Sequence, residues 1–361
     1  MLCGPGSSVR WWWLWVAIPY GMIAGLRARF YDWGWLEERK LPVPVISIGN
    51  LTLGGTGKTP IVIKLAEWLL AEGKRVAILS RGYGRSSGHP RLLVSDGERL
   101  AAGPLEAGDE PYLIARRCPK AVVAVGADRY ELGRWVESRF PVDCFLLDDG
   151  FQHLALYRDV NLLLVDATDA SGLDAVVPAG RLREPIAAAA RATMIIVTRA
   201  DLTAQVAQVM QRLHKATESL PDPVQVLFRP EELVSLTSEE TRPLAWCPGK
   251  TALLCSGIGH AASFRTTAEE VGFRLLHEIR YGDHHLYTPA DVDRMRAKAG
   301  DLKVDLVVTT EKDAGKLVKH LTPTDTNWWA IRVGTEIIAG EERLRHLVSH
   351  PSTASQARVC A

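Results

Sequence analysis

The sequence lacks the roughly 20-residue apolar run that a membrane-spanning helix needs; its apolar stretch from Trp11 to Leu26 is shorter. It has no basic run and a formal net charge of +1, which argues against a nucleic-acid binder held by bulk electrostatics. Six cysteines occur, Cys3, Cys118, Cys144, Cys247, Cys255 and Cys360, but no two form a C-x-x-C pair, which speaks against a zinc site of that kind. Cys144 and Cys255 stand inside apolar runs, as buried thiols do, and the usage suits a reducing compartment. Internal repeats and long low-complexity tracts are absent, and 24% charged against 47% hydrophobic residues is an ordinary globular balance.

What the sequence has in excess is tryptophan at its start. Six of eleven, Trp11, Trp12, Trp13, Trp15, Trp33 and Trp35, fall within the first 35 residues, with Arg10 before the apolar stretch and Arg27 and Arg29 after it. Trp and Tyr favour the headgroup boundary and flanking arginines favour anionic lipid. Trp11–Tyr31 is therefore expected to be a helix lying in the inner face of a membrane. A cleaved signal peptide, a spanning anchor and a helix packed on the core compete with that reading, although no A-x-A cleavage site follows.

From about residue 43 to 200, strand-like and helix-like runs alternate. Val45–Ile48 is a short apolar run, and Arg75–Ser80 and Ala121–Val125 read as further strands. Cys144–Leu147, Leu162–Val165 and Met194–Val197 are continuous apolar runs, as in strands covered on both faces, and Ile61, Leu65 and Leu69 recur at helical spacing. The alternation predicts a parallel sheet with crossover helices. Between 200 and 250, Pro221, Pro223, Pro230, Pro243 and Pro248 break the pattern, which places a seam there. A second α/β pattern follows, with strands at Thr251–Cys255, Leu306–Val308 and Trp329–Val333 and a helix over Phe264–Val271. A further helix starts at Thr288-Pro289 and stops at Gly300, ahead of a frayed tail after Ser349. The expected organisation is an interfacial helix (1–35), a P-loop NTPase-type parallel-sheet domain (36–235) and a smaller α/β domain (236–361).

Thr52-Leu53-Gly54-Gly55-Thr56-Gly57-Lys58-Thr59 matches the Walker A loop G-x-x-x-x-G-K-[ST] except at its first position, where Thr52 replaces glycine. A strand precedes it and a helix follows. Such a loop curls backbone N–H groups around phosphate oxygens at a helix N-terminus; Lys58 would reach the β- and γ-phosphates and Thr59 a Mg²⁺ ion. Asp148 and Asp149 end an apolar strand, where an acid helps hold Mg²⁺. Adjacent strand residues face opposite ways, so the pair differs in role unless the strand ends between them. Gly108-Asp109-Glu110-Pro111 is either a turn before a helix or a general base beside a metal contact. Ser80–Arg85 is a loop after a strand and Gly180–Pro185 a phosphate clamp or a charged loop. Asp283-His284-His285 could hold a metal, but two adjacent histidines cannot share a helix face, so a base or a carboxylate's partner is the expected role. Thr198-Arg199-Ala200-Asp201 looks like a T-K-x-D base-reading loop, which hints at guanine; that feature keeps a P-loop GTPase or ATPase switch, or an assembly factor, as the alternative.

Taken in order, PVISIGNLTLGGTGKTP (44–60), SRGYGR (80–85), GDEP (108–111), LDDGFQH (147–153), GRLREP (180–185), DHH (283–285) and TEKD (310–313) resemble the tetraacyldisaccharide 4′-kinase family. The resemblance implies a two-domain P-loop fold and transfer of the γ-phosphoryl group of ATP, with Mg²⁺, to the 4′-hydroxyl of an acylated glucosamine disaccharide 1-phosphate. The product is a precursor of lipid A, and the place of work is the cytoplasmic face of the inner membrane. It also implies Asp109 as general base, paired with His284 or His285. Glu110, Asp148 and Asp149 become Mg²⁺ or positioning acids beside Thr59, and Tyr83, Gln152, His153, Arg183 and Glu184 pocket residues. Gly257-Ile258-Gly259-His260-Ala261 departs from a family stretch that continues Asn-Pro, which bears on the second domain's geometry rather than on the chemistry.

Overall fold

The computed structural model describes residues 11–201, 203–217, 220–238, 240–259 and 261–351; Cys3, Arg10, His260, Cys360 and the tail from Ser352 lie outside them. The strands are β1 (Val45–Asn50), β2 (Val76–Ser80), β3 (Arg91–Asp96), β4 (Val122–Gly126), β5 (Cys144–Asp148), β6 (Val160–Asp166), β7 (Met194–Thr198), β8 (Val224–Ser235), β9 (Thr241–Pro243), β10 (Thr251–Ser256), β11 (Arg274–Arg280), β12 (Leu306–Thr310) and β13 (Trp328–Ala339). The α-helices are α1 (Leu14–Asp32), α2 (Lys58–Ala71), α3 (Pro104–Ala107), α4 (Asp109–Arg117), α5 (Arg129–Glu137), α6 (Thr203–Ala216), α7 (Ala261–Glu270), α8 (Pro289–Leu302), α9 (Glu311–Leu317) and α10 (Glu341–Ser349).

The protein is mixed α/β with one mostly parallel sheet, in the order β11-β10-β12-β13-β8-β7-β6-β1-β5-β2-β4-β3. The antiparallel pairs are β3 with β4, β8 with β9 and β8 with β13. β1, β5 and β6 are buried along their whole length, as their continuous apolar runs require when helices cover both faces. On one face α2 packs Ile61, Leu65 and Leu69 against Ile46, Ile48 and Leu146.

Two long strands decide where a ligand can sit. β8 pairs with β7 only through Val224–Val226, and β13 pairs with β12 only through Trp328–Ile331. Between those ends β8 and β13 pair only with each other or, near one end, with β9. Because they are antiparallel, the parallel strands on either side run in opposite directions. The carboxyl ends of β1, β2, β5, β6 and β7 therefore face those of β10 and β12 across a gap of about six residues, roughly 20 Å of extended chain. Ligands of open α/β sheets bind at the carboxyl ends of strands; here two such sets converge.

The prolines of 200–250 do not unravel the chain, since this segment holds α6 and β8. Pro230 sits where the β8–β13 register shifts, a bulge being one of the few places in a sheet where a residue without an N–H is tolerated. Nor does Gly300 stop α8. That helix opens as expected, with Thr288 accepting from Asp291 N and Pro289 in the first turn, but runs to Leu302 and closes on Lys303 at φ 50°. α10 returns to the first half, where Leu344 and Val348 join the core beneath α2. Arg117, at the end of α4, gathers Glu67, Glu231 and Glu311 at 3.6, 3.5 and 3.0 Å, so α2, β8 and α9 meet at one half-buried cation.

Candidate active site

The phosphate loop forms where the sequence places it. β1 ends at Asn50, Gly57 takes φ 81° and α2 begins at Lys58. A Cβ at Gly57 would stand 2.1 Å from the Phe228 ring, in a conformation L-residues avoid, so a substitution there is strained and must displace the ring. Thr52, in the place of the usual glycine, is buried and bridges Leu182, with Leu53 N donating to Arg181 O at 2.7 Å and Arg183 N to Leu51 O at 2.7 Å. This extended pairing suits a β-branched residue. Arg181 also donates to Leu53 O at 2.6 Å. Thr198 Oγ1 donates to Thr56 O at 3.0 Å, and Arg199 donates to Gly55 O at 3.2 Å while pairing with Asp166. The Thr198–Asp201 segment thus braces the loop, with its Arg199 guanidinium committed.

β5 ends between the two aspartates: Asp148 is its last residue and Asp149 turns at φ 54°. They differ accordingly. Asp149 lies 3.4 Å from Lys58 Nζ and accepts from Arg183 Nη1 at 2.8 and 3.0 Å. Burial alone would raise its pKa, but Lys58 and Arg183 outweigh it and hold the carboxyl below its ordinary value. Asp148 is 1% exposed and accepts from Ser80 Oγ at 2.9 Å, and its Oδ1 has no hydrogen-bond partner among the described residues. Burial, then the charges of Glu110 and Asp149, push its carboxyl up to about 7. Thr56 Oγ1 and Ser47 Oγ are likewise buried without partners. Unsatisfied buried oxygens beside a phosphate loop are what a cation would complete.

Lys58 Nζ also donates to Asn50 Oδ1 at 3.1 Å, and Asn50 Nδ2 to Thr52 O at 2.8 Å. Gln152 Nε2 donates to Asn50 O at 2.8 Å and Glu184 Oε1 at 2.9 Å, while Arg191 grips Glu184 at 2.7 Å on both oxygens. Gln152 and Glu184 are therefore struts under the loop. His153 is neutral near pH 7, because burial and then the Arg129 charge bring its pKa down to about 4.

Asp109 opens α4 after Gly108 at φ 94°. Its Oδ2 accepts from Lys316 Nζ at 2.9 Å and lies 3.2 Å from His284 Nδ1. Lys312 Nζ lies 3.3 Å from His284 Nε2 and 3.8 Å from both Glu110 and Asp283. An imidazole protonated on Nδ1 satisfies both neighbours, donating to Asp109 and accepting from Lys312. Burial raises the Asp109 pKa, but the bonds from His284 and Lys316 outweigh it and leave the carboxyl below its usual range. Tyr83, exposed between two positive-φ glycines, stands edge-on to His284 at 6.0 Å. His285 turns away: it stacks on Tyr281 at 4.4 Å and lies 3.2 Å from Asp291.

Sequence reading gave no role to Asn50, Lys312 or Lys316, and gave Arg181 only a place in the Gly180–Pro185 clamp or charged loop. Asp313 and Lys316 are spaced i,i+3 and pair at 3.3 Å; that spacing was the one signal available for Lys316. No group of three or more His, Cys, Asp or Glu arranged to hold a metal occurs among the described residues.

α1 lies beside the phosphate loop's flank. Ala17 and Gly21 are buried, with Gly21 against Val176 and Pro185, and Tyr20 OH donates to Arg183 O at 2.7 Å. Trp15 is 86% and Ile23 70% exposed, with Trp12, Ile18 and Met22 also outward. No helix among the described residues is long and apolar enough to cross a membrane.

The family profile described as Tetraacyldisaccharide-1-P 4′-kinase matches residues 9–351. A Tetraacyldisaccharide 4′-kinase of Geobacter metallireducens is 40% identical over 302 residues, 84% of this chain and 87% of its own. One of Geobacter sulfurreducens is 39% identical over 310 residues, 85% and 84% of the two chains. A crystal structure of an "apo" form of LpxK from Aquifex aeolicus in complex with ATP superposes with a TM-score of 0.75 at 32% identity, covering 94% of this chain and 98% of that one.

Proposed function

The chain belongs to the tetraacyldisaccharide-1-P 4′-kinase family, and from that premise we propose how its residues carry out the family's reaction. The protein is an ATP-dependent lipid kinase of lipid A biosynthesis: it transfers the γ-phosphoryl group of ATP to the 4′-hydroxyl of a tetraacyldisaccharide 1-phosphate. The observation that carries the mechanism is the Asp109–His284 pair at 3.2 Å, with Lys58 at the start of α2 beside Asp149.

Phosphoryl transfer needs alignment and charge neutralisation more than covalent help. Lys58 sits on the β- and γ-phosphates, and Asp149 with Asn50 fixes the ammonium's position. Thr59 and Asp148, whose buried Oδ1 lacks a partner among the described residues, would hold Mg²⁺, with Glu110 adding negative field, and the ion would neutralise charge on the triphosphate. Asp149, already paired with Lys58 and Arg183, serves as a positioning acid. Asp109 takes the proton of the attacking hydroxyl, and His284 orients it; such base help is worth about 10²–10⁴-fold. Tyr83 and His153 face the acceptor, and Arg183, Gln152 and Glu184 hold the loop.

The acyl chains keep the acceptor in a bilayer. α1 would rest in the interface of the inner membrane's cytoplasmic face with Trp15, Ile18 and Ile23 in lipid, presenting the cleft to the headgroup. The first half (36–235) then binds nucleotide, and the second (236–361) brings His284.

The test is where the label goes. Given γ-labelled ATP or GTP with the acylated disaccharide in mixed micelles, the protein should label the lipid from ATP. Release of the label as free phosphate from GTP, with unlabelled lipid, would support a nucleotide switch instead.

A further inference from the structure

Both hydrogen bonds to Asp109 end on the same oxygen. Lys316 Nζ and His284 Nδ1 meet Oδ2, and no bond from the described residues reaches Oδ1. Lys316 is an unusual lysine. Its side chain is 1% exposed, among the largest fully buried in the protein, although a lysine on a surface helix normally extends its ammonium to water. A buried ammonium is tolerated when paired, and Asp313 on its own helix, 0% exposed at 3.3 Å, supplies one partner. The shorter contact, 2.9 Å, crosses to Asp109 on α4.

Asp313 is itself fixed, its Oδ2 accepting from Gly257 N at 2.9 Å and Thr310 Oγ1 at 2.8 Å. α9 lies this close to α4 because Gly315 meets the Tyr112 ring; a Cβ at 315 would stand 2.9 Å from it. An unbroken chain of contacts thus runs from the carboxyl ends of β10 and β12 through Asp313 and Lys316 to Asp109.

We propose that Lys316 is a positioning residue for the phosphoryl transfer, gripping Oδ2 of Asp109 so that Oδ1 is turned to the acceptor hydroxyl. The inference rests on Asp109 being the general base. It gives α9 a part in the site: docking of α9 on α4 aims the base, while His284 and Lys312 complete its surroundings.

The test is kinetic, on the purified full-length protein with ATP and the acylated disaccharide 1-phosphate. Lys316→Met should lower kcat about 10- to 100-fold, the scale of a misplaced catalytic group, and leave KM for ATP unchanged. In an Asp109→Asn background the same substitution should cost nothing further, because Lys316 acts only through that carboxylate. If Lys316→Met leaves Asp313 unpaired and fails to fold, Lys316→Met/Asp313→Asn removes cation and counter-charge together while the Asn oxygen still accepts from Gly257. An equal fall in kcat in both backgrounds, a rise in KM for ATP alone, or an unchanged kcat would overturn the proposal. Asp109→Asn turning over like wild type would overturn the base assignment beneath it, a result distinguishable from the others.

Discussion

Asp148 gives a prediction that can be worked in numbers. Its carboxyl is held near 7 by burial and by the charges of Glu110 and Asp149, against 3.8 in an unfolded chain. The folded protein thus keeps a proton that the unfolded chain releases. Stability from this group is full below about pH 4 and is lost as pH rises through about 7. A shift of about three units at about 1.4 kcal/mol each makes the loss of order 4 kcal/mol. Asp148→Asn mimics the protonated acid and keeps the bond from Ser80, so it should carry no such loss. With about 2.1 cal/mol/K of unfolding entropy per residue, 4 kcal/mol on 361 residues is about 5 °C. The assay is thermal unfolding of wild type and variant across pH. The variant should melt about 5 °C higher near pH 8 and level with wild type near pH 4, while losing kinase activity. Millimolar Mg²⁺ with ATP should raise wild type and close the gap. Equal melting temperatures at pH 8, or a variant less stable there, would refute the reasoning.

Other outcomes follow from the same geometry. His284→Ala should lower turnover about 10²-fold, whereas His285→Ala, which loses the contacts with Asp291, Tyr281 and Tyr287 but none with Asp109, should stay within a few-fold; steady-state kinetics of the two variants decides. Gly57→Ala should abolish nucleotide binding, measured by calorimetry, because its Cβ would collide with Phe228. Trp15→Glu/Ile23→Glu, on the exposed face of α1, should weaken binding to anionic vesicles by at least about 100-fold, since each buried apolar side chain is worth about 1.5–3 kcal/mol. Unchanged co-sedimentation would remove α1 as the anchor.

The parts of the fold that were legible are those where local chemistry and tertiary placement agree. The all-apolar runs at β5, β6 and β7 could only be strands covered on both faces, and Gly57-Lys58-Thr59 between a strand and a helix could hardly be anything but a phosphate loop. Thr288-Pro289 capped its helix as its side chains dictate. β8 was hidden because Pro230 reads as a breaker unless the bulge is known, and β13 was seen only in part because its second half opens on Gly334 and carries Glu336, which pairs with Arg229. The nucleotide side of the site was readable for the same reason, being contiguous in sequence. The base's surroundings were not. Lys312 and Lys316 look like ordinary helix-surface lysines, and which histidine meets Asp109 depends on His284 turning at φ 59°, a tertiary outcome with no local signature.

The most direct test of the central claim measures ATP affinity and lipid phosphorylation together in Asp109→Asn and Lys58→Ala. Asp109→Asn should bind Mg-ATP as wild type does and phosphorylate the lipid about 10²–10⁴-fold more slowly. Lys58→Ala should lose both binding and transfer. Full transfer by Asp109→Asn, or undiminished binding and transfer by Lys58→Ala, would contradict the division of labour across this cleft.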